Sequence, residues 1–209
     1  MPSRNIVREF TNDSYFHVYN RGVEKRLIFL DDQDYTVFLG LIKKYLTGEN
    51  HNQNNRHLFR RIDDKVQLLA YCLMPNHFHL MLYQKREGGI TQLMRRLCTG
   101  YVMYFNNRYK RVGTLFQGTY KASSINRDDY LQHISRYIHL NPTEYATWPY
   151  SSLAYYTGKK TARWVTTKPV LDMFNGDRAE YLYFVKDYEA NQKELAALKW
   201  QLANDPEDM

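Results

Sequence analysis

Two histidines separated by one residue, His77 and His79, lie in an alternating apolar run that extends from Leu73 to Leu82. Side chains repeat every second residue along a β-strand, so both imidazoles are predicted to share one face while Phe78 points to the core. Two convergent neutral imidazoles can bind a divalent cation. The alternative is a pair of half-buried strand histidines without a ligand, and the motif alone leaves both interpretations open.

A second group of chemically useful side chains occurs far downstream, where His133, Tyr137 and Asn141 recur every four residues. Residues four apart lie in one row along a helix. Pro142 cannot continue the helical hydrogen bonds and disfavours helical geometry for the residue before it, so this helix should end near Asn141. If the helix covers the face on which the two histidines emerge, a phenol and a carboxamide come close to the candidate metal site.

The hydrophobic patterns indicate which elements position these groups. Alternation predicts four strands, near residues 15–20, 66–73, 77–82 and 119–125. Helical spacing predicts three helices, near residues 35–46, 90–105 and 127–141. Asp31 or Asp32 is expected to cap the first helix, and Pro75 with Asn76 to form the tight turn into the histidine strand. The order βαββαβ predicts an α+β, ferredoxin-like sandwich, in which a four-stranded antiparallel sheet carries two helices on one face and the third helix on the other.

The positive charge of the chain is concentrated in its middle. The 209 residues carry a formal net charge of +7, and the pI is near 9.2. Between Lys85 and Arg136 ten basic residues accompany three acidic ones, a net charge of +7, whereas residues 172–209 have a net charge of −5. The basic middle suits a polyanion such as a nucleic acid, and the acidic tail is expected to repel a polyanion or to mimic one.

Length and composition narrow the class of protein further. The chain is long enough for one domain with an appendage. No apolar run reaches the length of a membrane span, and the first residues lack the apolar region of a secretory signal, so we expect a cytoplasmic, nucleoid-associated protein without membrane contact. Cys72 and Cys98 do not form a Cys-x-x-Cys pair, which argues against a disulfide framework and against a cysteine zinc cluster.

Five segments carry a family resemblance. They are Tyr-Phe-His-Val-Tyr-Asn-Arg-Gly (15–22), Met-Pro-Asn-His-Phe-His-Leu (74–80), Gly-Thr-Leu-Phe-Gln (113–117), Arg-Tyr-Ile-His-Leu-Asn-Pro (136–142) and Trp-Pro-Tyr-Ser-Ser (148–152). In order and spacing, over about residues 10–155, they resemble the REP-associated tyrosine transposases. These are relatives of the single-tyrosine insertion-sequence transposases in the HUH (His-hydrophobic-His) endonuclease superfamily.

The resemblance implies a catalytic domain that cleaves and rejoins single-stranded DNA through a 5′-phosphotyrosine intermediate. It implies that Tyr137 is the nucleophile, that His77 and His79 bind a metal, and that Asn141 supplies a third, amide-type ligand. It also implies a divalent metal ion, Mg²⁺ or Mn²⁺, and a hairpin of the REP type with a single-stranded flank. Because imidazole suits transition ions better than Mg²⁺, we expect weak, exchangeable binding with Mn²⁺ at least as active as Mg²⁺.

Arg21 and a group of basic and aromatic residues near the middle of the chain are predicted to bind DNA. The candidates are Arg21, Arg95, Arg96, Arg108, Lys110, Arg111, Phe116, Tyr120 and Lys121. Cationic side chains bind phosphates, and aromatic rings stack on unpaired bases. For each aromatic residue, ordinary core packing is the alternative. In the polar loop 47–64, Arg56, Arg60 and Arg61 are either further phosphate contacts or parts of a solvated loop. His133 and His139 match no functional position of the family and are interpreted as packing or surface residues.

We expect residues 1–152 to form the catalytic domain and residues 153–209 to form a linker with an acidic, helical C-terminal extension. The active form is expected to be a monomer or a homodimer. The apolar positions of the extension, from Tyr181 to Leu202, suggest amphipathic helices that pack on the domain. A second hypothesis is that the acidic tail competes with DNA for the basic groove.

Three alternatives to a strand-transfer enzyme remain open at this point. One is a domesticated DNA hairpin-binding protein that keeps the fold but does not cut. Another is a replication initiator or relaxase with the same chemistry, although nothing resembles a helicase or a second catalytic tyrosine of that class. The third is an RNA-binding ferredoxin-like module, which is disfavoured because its aromatic sheet motif is absent.

Overall fold

The computed structural model describes residues 10–48, 61–125 and 128–187. Four strands form within these ranges: β1 (Ser14–Arg21), β2 (Val66–Met74), β3 (His77–Gln84) and β4 (Lys121–Ile125). They make one antiparallel sheet in the order β2-β3-β1-β4. Strand β3 lies between β1 and β2, as in a split βαβ unit, and the predicted ferredoxin-like α+β fold is therefore confirmed.

Six helices accompany these strands in the described part of the chain. They are α1 (Asp32–Thr47), α2 (Gly89–Arg108), α3 (Asp128–His139), α4 (Leu153–Tyr156), α5 (Lys168–Leu171) and α6 (Arg178–Lys186). Two short 3₁₀ turns occupy Val23–Lys25 and Asp172–Phe174. Of the two predicted caps of α1, Asp31 is the one used, since its carboxylate accepts the backbone N–H groups of Gln33 and Asp34.

Helices α1 and α2 cover one face of the sheet. On that face Phe16 and Val18 of β1 and Phe78, Leu80 and Leu82 of β3 are buried. The alternation predicted for the histidine strand is therefore confirmed: every second side chain enters this apolar core, and the intervening side chains point to the opposite face.

Helix α3 covers the second face, as predicted. Its Ile134 and Ile138 pack with Cys72 and Met81 of the sheet in a separate apolar cluster. Helices α4, α5 and α6 contribute to the same cluster, for example through the fully buried Tyr181. The first part of the C-terminal extension thus packs on the sheet and on α3. The division predicted at residue 152 stays a prediction, and the described contacts join both sides of it.

Several sequence predictions lie outside the described residues. They are the candidate phosphate contacts Arg56 and Arg60, Asn126 as the expected N-cap of the third helix, and the tail from Tyr188 onward, including Leu195, Leu198 and Leu202. Among the helices that are described, none combines the length and the apolar character needed to cross a membrane.

Candidate active site

The turn that precedes β3 is held in place by the segment that follows β1. The backbone N–H of Ile28 donates to the carbonyl of Pro75 at 2.8 Å, and that of Gly22 donates to the carbonyl of Asn76 at 2.9 Å. A side chain at Gly22 would bring its Cβ within 2.2 Å of the Arg26 carbonyl, so only glycine permits this close approach. The Arg-Gly sequence after β1 and the Pro-Asn turn before β3 therefore form one rigid corner beside His77.

Asn76 determines which nitrogen of His77 carries the proton. The Asn76 Nδ2 donates to the carbonyl of Lys25 at 3.3 Å, so its Oδ1 is the atom that faces His77 Nδ1 at 2.6 Å. An amide oxygen accepts only, hence Nδ1 carries the hydrogen. Burial lowers the pKa of His77, the amide of Asn141 opposes that shift, and the positive charge of Arg21 adds to it. A neutral His77 protonated on Nδ1 keeps a lone pair on Nε2.

That lone pair faces Asn141. The Asn141 Oδ1 lies 2.9 Å from His77 Nε2. Helix α3 ends at His139, and Asn141 lies two residues beyond that end, immediately before Pro142. Two acceptors at this distance cannot bond to each other, so either the amide turns its NH₂ towards the ring or both atoms coordinate one cation. The structure thus brings the late carboxamide of Asn141 to one of the two strand histidines, His77.

The second strand histidine contacts a third imidazole that the sequence analysis did not single out. His79 Nδ1 lies 2.8 Å from Nε2 of His17, which belongs to β1 and is only 2 % exposed. Burial lowers the pKa of His17 to about 3, so its ring is neutral at neutral pH. Alternation along β1 indicated that His17 shares a face with Tyr15 and Tyr19, and this was the available signal.

Tyr137 of α3 lies over this pair of imidazoles. Its ring centroid is 5.4 Å from that of His79 and 5.8 Å from that of His17, both in edge-to-face geometry. Burial raises the pKa of Tyr137 to about 12, Tyr19 adds to the rise, and a hydrogen bond with Asn141 opposes it. The phenol is thus neutral at neutral pH and lies beside two of the three predicted ligand residues, His79 and Asn141.

The donor set at this point fits a divalent cation. The described residues contain no cluster of three or more His, Cys, Asp or Glu side chains that could hold a metal ion. What the site offers instead is two imidazoles, with ring centroids 5.0 Å apart, and one amide oxygen. Two nitrogens and one oxygen suit Mn²⁺ and similar ions, and three ligands leave coordination positions open.

Two of the predicted DNA-binding residues lie beside the site. Arg21 is directly opposite His77 in the pairing of β1 with β3, and its guanidinium Nε donates to the Gln117 side chain. Lys121 opposes Tyr19, which in turn opposes His79, so these three residues share the face of the sheet that α3 covers.

The arginines of α2 lie on the other side of the sheet. Arg95 is exposed, and Arg96 lies with its guanidinium carbon 5.9 Å from the ring centre of Tyr45. Arg108 forms ion pairs with Asp31 at 2.6 Å and with Asp34 at 2.9 Å. The structure therefore does not bring these three arginines to the histidines, and it already partners Arg108 with two carboxylates.

The remaining candidates follow α2. Lys110 is exposed, while the Arg111 guanidinium lies 5.7 Å from the ring centre of Phe105. Phe116 is 7 % exposed and packs edge-on against Phe78, so its ring is part of the apolar core and offers no face to a base. The ring of Tyr120 is stacked on Phe10 at 6.4 Å. Phe116 and Tyr120 therefore lie in packing contacts with other aromatic rings, which was the alternative to DNA binding.

The two histidines of α3 make packing contacts on the side of the helix that faces α6. His139 is fully buried and bonds to the Tyr181 hydroxyl through Nδ1 and to Ser152 Oγ through Nε2, each at 2.7 Å. His133 lies 3.0 Å from an Arg136 guanidinium nitrogen and contacts the Phe184 ring.

Comparisons with known proteins find one matching family model and similar solved structures. Residues 41–141 match the family model described as IS200-like transposase. The structure of a REP-associated tyrosine transposase bound to a REP hairpin is similar, with a TM-score of 0.55 and 14 % identity, covering 75 % of this chain and 87 % of that one. A candidate transposase from Deinococcus radiodurans R1 matches with a TM-score of 0.39 and 16 % identity, over 66 % of this chain and 95 % of that one. No protein of curated function matches the sequence.

Proposed function

We propose that this chain, whose residues 41–141 match the IS200-like transposases, is a DNA transposase that cuts and rejoins single-stranded DNA with Tyr137 as nucleophile. The observation that carries the proposal is the convergence of Tyr137, His77, His79 and Asn141 on one face of the sheet. Three separate elements supply these residues, β3, α3 and the segment after α3. Ordinary core packing does not call for a phenol, two imidazoles and an amide in one place.

In the proposed reaction the phenolic oxygen of Tyr137 attacks a backbone phosphorus in line. A bond forms between that oxygen and phosphorus while the bond from phosphorus to the 3′-oxygen breaks. The proton lost by the phenol balances the proton gained by the 3′-hydroxyl that leaves. The 5′-phosphotyrosine keeps the energy of the ester, so the 3′-hydroxyl of a second strand reverses the attack and joins DNA without ATP.

His77, His79 and Asn141 would hold the divalent cation, Mg²⁺ or Mn²⁺. When bound, a divalent ion neutralises a non-bridging phosphate oxygen and lowers the free-energy cost of a phenolate. The chain itself contributes orientation: Asn76 keeps the His77 lone pair on Nε2, and α3 keeps Tyr137 beside the imidazoles. Because burial holds the pKa of Tyr137 near 12, the reaction depends on stabilisation of the phenolate when DNA binds.

The proposed substrate is a DNA hairpin with a single-stranded flank. The fold is shared with a protein whose solved structure contains a REP hairpin, which supports this choice. Arg21 and Lys121 are the predicted DNA contacts that lie beside the catalytic residues, so we propose that they bind the phosphates of the scissile strand. The more distant Arg95 and Arg96 would then contact a separate part of the hairpin.

The decisive experiment is a test for a covalent adduct. A labelled hairpin oligonucleotide, taken from DNA that flanks the gene, is incubated with the protein and Mn²⁺ and analysed under denaturing conditions. Wild type should form an adduct that EDTA prevents, and Tyr137→Phe should lower its yield about 1,000-fold or more because the nucleophilic oxygen is lost. Tyr130→Phe, on the same helix, is the control and should keep the adduct.

A second candidate is a hairpin-binding protein without strand transfer. The fold shared with a protein that was solved in complex with a REP hairpin supports this candidate as well. Tight binding of the same oligonucleotide, with no adduct in wild type at any Mn²⁺ concentration, would support this candidate and exclude the transposase. An adduct that persists in Tyr137→Phe would instead assign the chemistry to another residue.

A further inference from the structure

We propose that His17 is a positioning residue that fixes the orientation and the proton of His79 so that a cation is coordinated through His79 Nε2. The inference rests on the proposed function, since it concerns the same metal site. It is carried by the 2.8 Å contact between His17 Nε2 and His79 Nδ1, which joins two buried rings of neighbouring strands.

The contact with His17 determines through which nitrogen His79 can coordinate a cation. An imidazole has two ring nitrogens, and the contact with His17 occupies Nδ1. A cation must therefore bind through Nε2. The near-parallel rings of His17 and His79, at an interplanar angle of 16° and a centroid distance of 5.0 Å, hold this orientation.

Coordination by His79 also depends on which of its ring nitrogens carries the proton. Coordination through Nε2 requires a lone pair there, so the single proton of a neutral His79 must be on Nδ1 and be donated to His17 Nε2. His17 then carries its own proton on Nδ1. In the opposite arrangement His17 donates, His79 is protonated on Nε2, and coordination is blocked. The two rings thus exchange roles together, and His17 selects the competent form by accepting.

Strand β4 offers a partner for the His17 proton. Within the described residues, His17 Nδ1 and Ser123 Oγ are both buried side-chain atoms without a hydrogen-bond partner. His17 and Ser123 are directly opposed in the antiparallel pairing of β1 with β4, so their side chains share one face at neighbouring positions. The two atoms do not bond to each other as they lie, so Ser123 accepts from Nδ1 only after a change of its side-chain rotamer. We assign Ser123 as the acceptor that stabilises the competent form of His17.

His77 supports the assignment because it is held by the same device. Its Nδ1 donates to Asn76 Oδ1 at 2.6 Å, and the Lys25 carbonyl fixes the orientation of that amide. Both ligand histidines are thus bonded at Nδ1 by a neighbouring side chain, one by an amide and one by an imidazole. A second hydrogen bond of this kind typically changes metal affinity by about 10- to 100-fold.

The test measures Mn²⁺ affinity, from the signal of free Mn²⁺ in electron paramagnetic resonance, on the full chain without DNA. His17→Phe keeps the ring but removes the acceptor, and it should weaken binding about 10- to 100-fold. His17→Gln places an amide oxygen near the position of Nε2 and should restore affinity to within about 3-fold of wild type. Ser123→Ala should produce a smaller loss, and all variants are checked for native circular dichroism.

The outcomes separate this inference from the proposed function. If wild type binds no Mn²⁺, or if His79→Ala binds as well as wild type, the proposed metal site is wrong. If wild type binds, His79→Ala does not, and folded His17→Phe binds as wild type does, the role of His17 is wrong while the site stands. Ser123→Ala with unchanged affinity removes Ser123 from the assignment.

A measurement on wild type covers the case in which His17→Phe does not fold. With Zn²⁺ as a diamagnetic probe, ¹⁵N-edited NMR of the imidazoles should show His79 protonated on Nδ1 and metal-bound through Nε2. Zinc bound through Nδ1 of His79, or a His79 Nδ1 without a proton, would overturn the inference.

Discussion

The face of the sheet that α1 and α2 cover buries Phe16, Phe78 and Leu80, whereas the face that α3 covers buries His17 and His79 from the same two strands. The backbone, the strand pairing and the depth of burial are shared. Only the parity of the residue number along each strand differs. One short strand can therefore contribute stability through one set of positions and chemistry through the other, without a loop to carry the functional groups.

The two faces also handle buried polar groups differently. Under α1 and α2 the buried carboxylate of Asp34 accepts from the backbone N–H of Leu30, from the hydroxyls of Tyr104 and Tyr109, and from Arg108. Every partner is a donor, so the arrangement has one stable state. On the α3 face the contact between His17 and His79 joins two imidazoles, each of which can donate or accept, so two opposite proton arrangements satisfy the same contact. The first pattern suits stability, and the second suits a site that must bind and release a cation.

The sharpest way to test this comparison uses adjacent residues of β3. Phe78→Ala removes a fully buried ring from the α1–α2 face and should lower the free energy of unfolding by about 3 to 5 kcal/mol. His79→Ala should lower it by at most about 2 kcal/mol but should abolish Mn²⁺-dependent adduct formation. Urea denaturation and the adduct assay measure the two effects. Equal losses of stability at both positions would show that the faces do not differ in this way.

The next prediction concerns the carboxylate on the apolar face. Asp34→Ala leaves two tyrosine hydroxyls and one side of Arg108 without their acceptor in a buried place, so the free energy of unfolding should fall by about 3 kcal/mol. Asp31→Asn is the matched control, since Asp31 binds the same arginine at the surface. It should cost clearly less in thermal denaturation. If Asp31→Asn lowers the free energy of unfolding as much as Asp34→Ala does, the ion pair at the surface is the stabilising one.

Alternation was sufficient to predict which side chains of β3 enter the core, because the period of a strand is two whatever its neighbours are. The four-residue spacing of Tyr137 and Asn141, with Pro142 as the stop, was sufficient to place both residues near the end of one helix, which the structure ends at His139. His17 was missed for a physical reason. Its contact with His79 depends on the register between β1 and β3, in which Tyr19 opposes His79, and a shift of one residue would turn His17 to the other face.

Contacts between segments distant in sequence explain why some residues predicted to bind DNA lie away from the site. The local sequence predicts Arg108 to be an unpaired cation on the exposed side of α2. In the structure it binds Asp31 and Asp34, which lie at the start of α1, more than seventy residues earlier in the chain. Phe116 lies in a polar loop, but this loop pairs with Gly22 and turns the ring into the core against Phe78. Local sequence carries no information about such pairings, since tertiary packing decides them.

The smallest predicted effect uses one cysteine on each side of the sheet. Cys72 packs in the α3 cluster and Cys98 against the α1–α2 core, and burial raises the pKa of both thiols, that of Cys98 to about 12. Because the thiolate reacts, native alkylation at pH 8 should be slower by at least about 100-fold than in urea. Each cysteine then reports how often its own layer opens.

Ser152→Ala should open one layer and not the other. Ser152 Oγ bonds to His139 of α3 and to the backbone N–H of Tyr71 in β2, so its loss leaves both groups unsatisfied at a cost of about 2 kcal/mol. If α3 and its neighbours open as a unit, alkylation of Cys72 should accelerate about 30-fold while that of Cys98 stays unchanged. Mass spectrometry of each cysteine peptide over time measures both rates. Equal acceleration at Cys98 would mean that the two faces unfold together. The two layers would then differ in which residues they bury but not in how often they open.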